Sequence, residues 1–116
     1  MKITKSYCLQ QYNKLSKHFE ELHIKLSQPI FIIHRLPDDA YAFTETFKSD
    51  DGFTPIIVLS LNAHKTKTEL TDTLLHEMTH IALSMKRYDQ EEKLDHDNRF
   101  RKLFQKINRV YNKGEK

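Results

Sequence analysis

The 116-residue chain has few of the residues that cross-link, break or anchor a polypeptide. Its single cysteine, Cys8, excludes an intramolecular disulfide and a cysteine-based zinc ribbon. Two glycines and three prolines leave few hinges, and there is no repeat or low-complexity tract. The longest apolar runs, such as 30–33 and 56–59, have four residues, far short of a membrane span, and no secretory signal is visible. These absences predict one domain over residues 1–116, cytoplasmic and without a membrane partner.

Charge is present in both signs but is unevenly distributed. Hydrophobic residues make up 38% and charged residues 30% of the chain, which is typical of a globular protein, and the net charge is +3. From His96 to Lys116, however, there are seven Lys or Arg residues against Asp97 and Glu115. Such a segment is either a solvated helix face or a patch that attracts nucleic acid or acidic partners.

Hydrophobic spacing predicts six elements in the order α-β-β-β-α-α. Ser49–Gly52 supplies the turn of a hairpin between the second and third strands. The fold class is therefore α+β: a small antiparallel or mixed three-stranded sheet with an N-terminal helix, a long helix and a C-terminal helix. The predicted elements are a helix over 6–23, strands over Ile30–His34, Ala40–Phe47 and Pro55–Leu61, and helices over Lys67–Arg87 and Asp95–Asn112.

The long helix carries an H-E-x-x-H motif, written His76-Glu77-Met78-Thr79-His80. Because residues four apart share one face of a helix, the two imidazoles can reach one metal ion. Glu77, which lies beside that metal without binding it, is placed to act as the general base of a zincin-like metalloprotease.

The two histidines occupy a face of that helix that is neither plainly apolar nor plainly charged. At about 100° per residue they lie roughly opposite the apolar stripe, in company with Thr73 and Leu83. A core histidine would lie within the stripe, and a surface histidine would lie among lysines and glutamates. The intermediate character is typical of a cleft wall. The stripe consists of Leu70, Leu74, Met78, Ile81, Ala82 and Met85.

A catalytic zinc needs a third protein ligand in addition to His76 and His80. The extended motif with a further Gly and His is absent, since Leu83 and Lys86 occupy those positions. His96, at the head of the last helix, is the favoured third ligand. The alternatives are a glutamate ligand, Glu91 or Glu92, and a His96 that is merely an exposed residue at a helix end. Asp95 would cap that helix, or Asp95 or Asp97 would orient a ligand.

Residues 55–100 resemble the SprT-like (Spartan-type) metalloprotease domain. The resemblance lies in T-P-I-I-V-L-S-L-N, then E-L-T-D-T-L-L-H-E-M-T-H-I-A-L, then D-H-D-N-R-F. In that family a strand leads into the H-E-M-x-H helix, and an H-x-x-x-F segment follows, which His96 and Phe100 match. Asp95 and Asp97 stand where the family has glycines. The resemblance implies a zinc cofactor, ligands His76, His80 and His96, and proteolysis of proteins attached to DNA.

The resemblance implies DNA contact, and because the chain has no cysteine pair for a zinc ribbon, that contact is expected to come from the domain itself. The last helix is the obvious supplier, through phosphate contacts that carry little sequence information. Its predicted buried stripe consists of Phe100, Leu103, Phe104, Ile107, Val110 and Tyr111. At about 100° per residue the basic residues form one strip, while Phe100, Leu103, Phe104, Ile107 and Tyr111 mark the buried side. The strip comprises Arg99, Lys102, Lys106, Arg109 and Lys113.

The sequence thus predicts a zinc-dependent endopeptidase acting on DNA-associated or DNA-crosslinked proteins. Three alternatives remain. One is a zinc protease that acts on one regulatory or host protein without DNA, another is a non-enzymatic DNA-binding module with a structural metal, and the third is a protein whose histidines bind nothing. The substrate is expected to add to an exposed edge of the sheet, along Ala40–Phe47 or Pro55–Leu61. The candidates for stabilising the oxyanion are Tyr41, Tyr88, His34 and Arg99.

Overall fold

The computed structural model describes residues 3–36, 41–49, 52–60, 66–86 and 98–114. Its elements follow the predicted order and confirm the α+β class. They are α1 (Lys5–Glu20), β1 (Ile30–His34), β2 (Ala42–Ser49), β3 (Gly52–Ser60), α2 (Lys67–Lys86) and α3 (Asn98–Gly114).

α1 ends three residues earlier than its hydrophobic spacing predicts. The Ile24 N–H donates to the Phe19 carbonyl at 3.0 Å, and the His23 N–H donates to the Glu20 carbonyl at 2.9 Å. His23 has a φ of 62°. This pair of bonds around a left-handed residue is the Schellman closure, and the buried contact partners Phe19 and Ile24 accompany it. A histidine thus takes the position that glycine usually fills.

α2 begins at a side-chain cap. The Thr66 hydroxyl accepts from the Glu69 N–H at 3.1 Å and donates to the Glu69 carboxylate at 3.1 Å. The cap satisfies one of the four N–H groups that lack a partner within the first turn. It therefore helps to set where the helix starts, about two and a half turns before His76.

The sheet is mixed, with strand order β1-β3-β2. β1 runs parallel to β3 and pairs Ile30 with Ile56, whereas β2 runs antiparallel to β3 and pairs Thr44 with Ile57. The hairpin closes with Ser49 opposite Gly52, whose φ of 137° suits glycine. β3 is the central strand, with β1 on one side and β2 on the other, so the expectation that substrate adds along Pro55–Leu61 is wrong.

The helices cover one face of the sheet and form the core with it. Phe31, Ile57 and Leu59 point to that side and are buried. From the helices come Cys8, Tyr12, Phe19, Leu70, Leu74, Met78, Ile81, Ala82 and Ile107, which confirms the apolar stripe of α2 up to Ala82; the Met85 side chain lies outside the described part. The opposite sheet face exposes Ile30, Ile32, Phe43 and Phe47.

Cys8 is an ordinary core residue. Its side chain is fully buried, and burial raises the pKa of the Cys8 thiol to about 11. A thiol with that pKa is almost entirely protonated at neutral pH, so it is a poor nucleophile. Within the described residues, no helix is long and apolar enough to cross a membrane.

Candidate active site

α2 carries the H-E-x-x-H motif on the side that meets β2 and α3. His76 and His80 are half-buried, whereas Glu77 is only 6% exposed. Thr73, one turn before His76, is half-buried as well. The histidine side of α2 therefore lines a cleft, while the apolar stripe on the other side fills the core.

The two histidines are close enough to share one metal ion. Their ring centroids are 5.0 Å apart, and the ring planes make an angle of 72°. Zn–N bonds of about 2.0–2.1 Å in a tetrahedral site place two imidazole centroids about 5 Å apart. The pair therefore fits zinc in spacing and in ligand type. No third His, Cys, Asp or Glu joins them among the described residues, and His96 lies outside that part of the chain.

Two phenylalanines of α3 hold the imidazoles in place. The Phe100 ring lies 4.4 Å from the His80 ring and 4.9 Å from the His76 ring, measured between centroids. Phe104 lies 5.7 Å from His76 and stacks on Phe100 at 5.5 Å. The first turns of α3 thus form an apolar wall beside the pair, which restricts both rings and excludes water from one side of them.

Glu77 is held by a residue of the sheet. The Thr44 hydroxyl on β2 donates a hydrogen bond to the Glu77 Oε1 atom over 2.7 Å. A bond to a charged acceptor is strong and directional, and it offsets part of the cost of burying the carboxylate.

A pocket of about 410 Å³ opens beside these groups. His76 and Glu77 form part of its wall, and Phe104 closes it from α3. Its other lining residues are Tyr41, Ala42, Asp72 and Thr73. The general-base candidate and one metal-ligand candidate therefore face a space large enough for a substrate side chain together with a peptide group.

β2 borders this site and is an edge strand of the sheet. The Ser60 N–H donates to the Tyr41 carbonyl at 2.8 Å, so Tyr41 and Ser60 form a hydrogen-bonded pair of the antiparallel ladder. Such pairs alternate with non-bonded pairs along the strand. The backbone N–H and C=O groups of Ala42 and Thr44 therefore point outward, away from β3, along the free edge of β2.

The family profile of SprT-like proteins matches residues 4–115, nearly the whole chain. The chain belongs to the SprT-like family. This family is generally a zinc-metallopeptidase-like domain and is associated with zinc. No curated protein and no solved structure gives a significant match to the chain.

The four residues predicted as candidates for stabilising the oxyanion lie in different parts of this SprT-like chain. Tyr41 lines the pocket with His76 and Glu77. His34 lies at the far end of the sheet order on β1, where its Nδ1 contacts the Arg35 carbonyl at 2.8 Å. Arg99 is exposed on α3, and Tyr88 lies outside the described residues, as do Asp95, Asp97, Glu91 and Glu92. Of the candidates in the described part, the structure brings only Tyr41 into the pocket.

The predicted basic strip of α3 is on its surface. Arg99, Lys102, Lys106, Arg109 and Lys113 are all exposed, while Phe100 and Ile107 on the other side are buried. Sequence reasoning overlooked Thr44 and Asp72 as site residues. A signal for Thr44 was present, because the alternation of β2 places this polar residue on the same face as Ala42, toward the helices.

Proposed function

We propose that this SprT-like protein is a zinc-dependent endopeptidase. The observation that carries the proposal is the buried Glu77 carboxylate, which adjoins the His76–His80 pair and lines a 410 Å³ pocket. A structural zinc site usually fills all four positions with protein and needs no space beside it, whereas a catalytic site needs room for water and substrate. The pocket therefore favours the enzyme over a non-enzymatic module.

His76, His80 and His96 are the residues that would hold the metal. His96 lies outside the described residues, and in the sequence it stands two positions before Asn98, the first residue of α3. Phe100, four positions after His96 in the sequence, contacts the rings of both His76 and His80. Zinc bound there supplies a Lewis acid, which polarises the scissile carbonyl and lowers the pKa of water to about 7.

Glu77 moves the proton in this reaction. Its carboxylate accepts a proton from the water that attacks the scissile carbonyl carbon, and it then delivers that proton to the leaving amine nitrogen. The experiment that tests the proposal compares the hydrolysis of a casein-like fluorogenic substrate by the zinc-loaded parent protein and by the Glu77→Gln variant.

The substrate backbone is proposed to add to β2 as a further strand. The outward-pointing backbone groups of Ala42 and Thr44 supply donors and acceptors for this pairing, which is a common way to bind an extended peptide. A peptide bound there runs past the mouth of the pocket, because Ala42 also lines the pocket.

Tyr41 is proposed to donate a hydrogen bond to the oxyanion. We expect Tyr41→Phe to lower kcat about 10- to 100-fold with little change in KM, since one such donor acts mainly on the transition state. Steady-state kinetics on a fluorogenic peptide measure the split. Tyr111→Phe is the matched control, because Tyr111 packs on His18 at 5.6 Å and is not among the residues that line the pocket. An unchanged kcat in Tyr41→Phe would show that Tyr41 does not stabilise the oxyanion.

DNA-associated or DNA-crosslinked proteins are the proposed substrates, in a reducing compartment that contains DNA. The support is the exposed basic strip of α3, in which Arg99 and Lys113 are separated by about 21 Å along the helix axis. The strip begins next to Phe100, and Phe100 contacts the histidine pair. DNA bound along α3 would therefore hold an attached protein near the site.

Reversing two charges of the strip should weaken DNA binding. If all five residues contact phosphates, log Kd should vary with log salt with a slope of about 4 to 5. Lys102→Glu with Lys106→Glu should lower affinity at least about tenfold and reduce that slope by about 2. Fluorescence titrations with single- and double-stranded oligonucleotides at two salt concentrations measure both quantities.

The matched control for this reversal is Lys14→Glu with Lys17→Glu. These lysines are exposed on α1, so the change in net charge is the same but the helix differs. The control should bind DNA several-fold more tightly than the strip variant. If the parent bound no DNA at the lower salt concentration, DNA would drop out of the proposed function. That result would favour a protease that acts on a particular protein without DNA.

A further inference from the structure

Thr44 joins two parts of the site that are 33 positions apart in the chain. Its hydroxyl donates to Glu77 Oε1 over 2.7 Å, and its half-buried side chain points from β2 toward α2. Glu77 is 6% exposed, and the bond is part-buried. The contact is therefore strong compared with a similar bond on the surface.

The backbone of Thr44 points in another direction. The ladder register set by the Tyr41–Ser60 bond directs the Thr44 N–H and C=O outward along the free side of β2. A peptide that adds to this edge would pair with Thr44 or with its immediate neighbours. One residue thus contacts the general-base candidate through its side chain, and its main chain would border a peptide added to β2.

We propose that Thr44 is a positioning residue, which fixes the Glu77 carboxylate relative to the strand that carries the substrate. Glutamate has three rotatable side-chain bonds, and an unanchored carboxylate would spread over several rotamers. The Thr44 bond selects one of these rotamers and fixes the position of the carboxylate relative to β2. β2 is also the strand that would align the scissile peptide. Small misplacements of a reacting group cost large factors in rate, so this alignment should show in kcat. The inference rests on the proposed peptidase function.

The first test removes the hydroxyl while keeping the shape of the side chain. Thr44→Val in the zinc-loaded full chain should lower kcat about 10- to 100-fold, change KM less than about threefold and leave the zinc content unchanged. Thr44→Ser keeps the hydroxyl and should return kcat to within about threefold of the parent. Thr54→Val is the matched control, because Thr54 is a half-buried strand threonine that pairs with Phe47 on the other face of the sheet.

A second test does not depend on peptidase activity. Thr44→Val should lower the thermal unfolding midpoint more in the parent than in a Glu77→Gln background. The reason is that a hydrogen bond to a charged carboxylate contributes more stability than one to a neutral amide, so its removal costs more. This comparison is a double-mutant cycle, and it reports the coupling of the two side chains directly. Equal decreases in the two backgrounds would contradict the contact.

The outcomes separate this inference from the proposed function. A parent protein that hydrolyses no peptide with zinc bound overturns the peptidase function, and the role of Thr44 with it. An active parent whose kcat survives Thr44→Val overturns the role of Thr44 alone. A loss of kcat that Thr44→Ser does not restore, or that Thr54→Val shares, would assign the effect to strand stability and would also overturn the positioning role.

Discussion

Replacing Glu77 by glutamine should abolish peptide hydrolysis while leaving the protein folded and its zinc bound. Glutamine keeps the volume of the buried side chain and retains an oxygen that can accept the Thr44 hydrogen bond. It cannot take a proton from water. Loss of a general base typically costs about 100- to 10,000-fold, and kcat should fall within or beyond that range. Fluorogenic casein-like cleavage, elemental analysis and thermal unfolding measure the three properties.

Glu69→Gln provides the matched control for this variant. Glu69 lies on the same helix, and a glutamine there still offers an acceptor to the Thr66 hydroxyl of the cap. The control therefore removes the same charge without entering the pocket, and it should cleave as fast as the parent. Cleavage by Glu77→Gln at the parent rate would show that the protease assignment is wrong. Loss of zinc from Glu77→Gln would instead make Glu77 a ligand.

Local sequence patterns predicted the elements well because each element has its own periodicity. β1 was predicted with the observed bounds, and α2 with its end one residue beyond the observed one. The end of α1 was missed because His23 adopts a left-handed conformation that glycine would have signalled. Helix spacing alone does not reveal which residue leaves the helical region.

Strand order was the harder question, since pairing is a non-local property. The continuous apolar run 56–59 is typical of a strand buried on both faces, and β3 indeed lies between β1 and β2. Alternation in β2 is typical of a strand that is buried on one face only. Read together, these two signals favour β2 over β3 as the edge strand.

The chemistry of the site was partly visible in the sequence. The H-E-x-x-H spacing places two imidazoles on one helix face whatever the rest of the fold does. By contrast, the Phe100 contacts with both histidines and the Thr44 bond to Glu77 depend on how α3 and β2 dock against α2. The alternation of β2 places Thr44 on the same face as Ala42, but no periodicity of a single element shows that this face docks against Glu77, which is why Thr44 is missing from the predicted site.

Substituting any of the three predicted metal ligands should remove most of the zinc. The parent should carry one zinc ion per chain, and His76→Ala, His80→Ala and His96→Ala should each lower the affinity more than about 100-fold, since even partners outside the coordination shell account for 10- to 100-fold. Elemental analysis after dialysis against a zinc buffer measures the content. We expect His76→Ala and His80→Ala to lose zinc because the two rings are 5.0 Å apart, a distance that allows both to bind one ion.

His34→Ala is the control, because it deletes an exposed imidazole on β1 and should leave the zinc content unchanged. The variant at His96 discriminates among the ligand sets. Full zinc content in His96→Ala, together with loss in the other two variants, would move the third ligand to Glu91 or Glu92 or to an aspartate, and Glu91→Ala and Glu92→Ala would then identify it. Full content in all three variants would mean that the H-E-x-x-H histidines bind no metal, and the helix would then present them only as packing partners for Phe100.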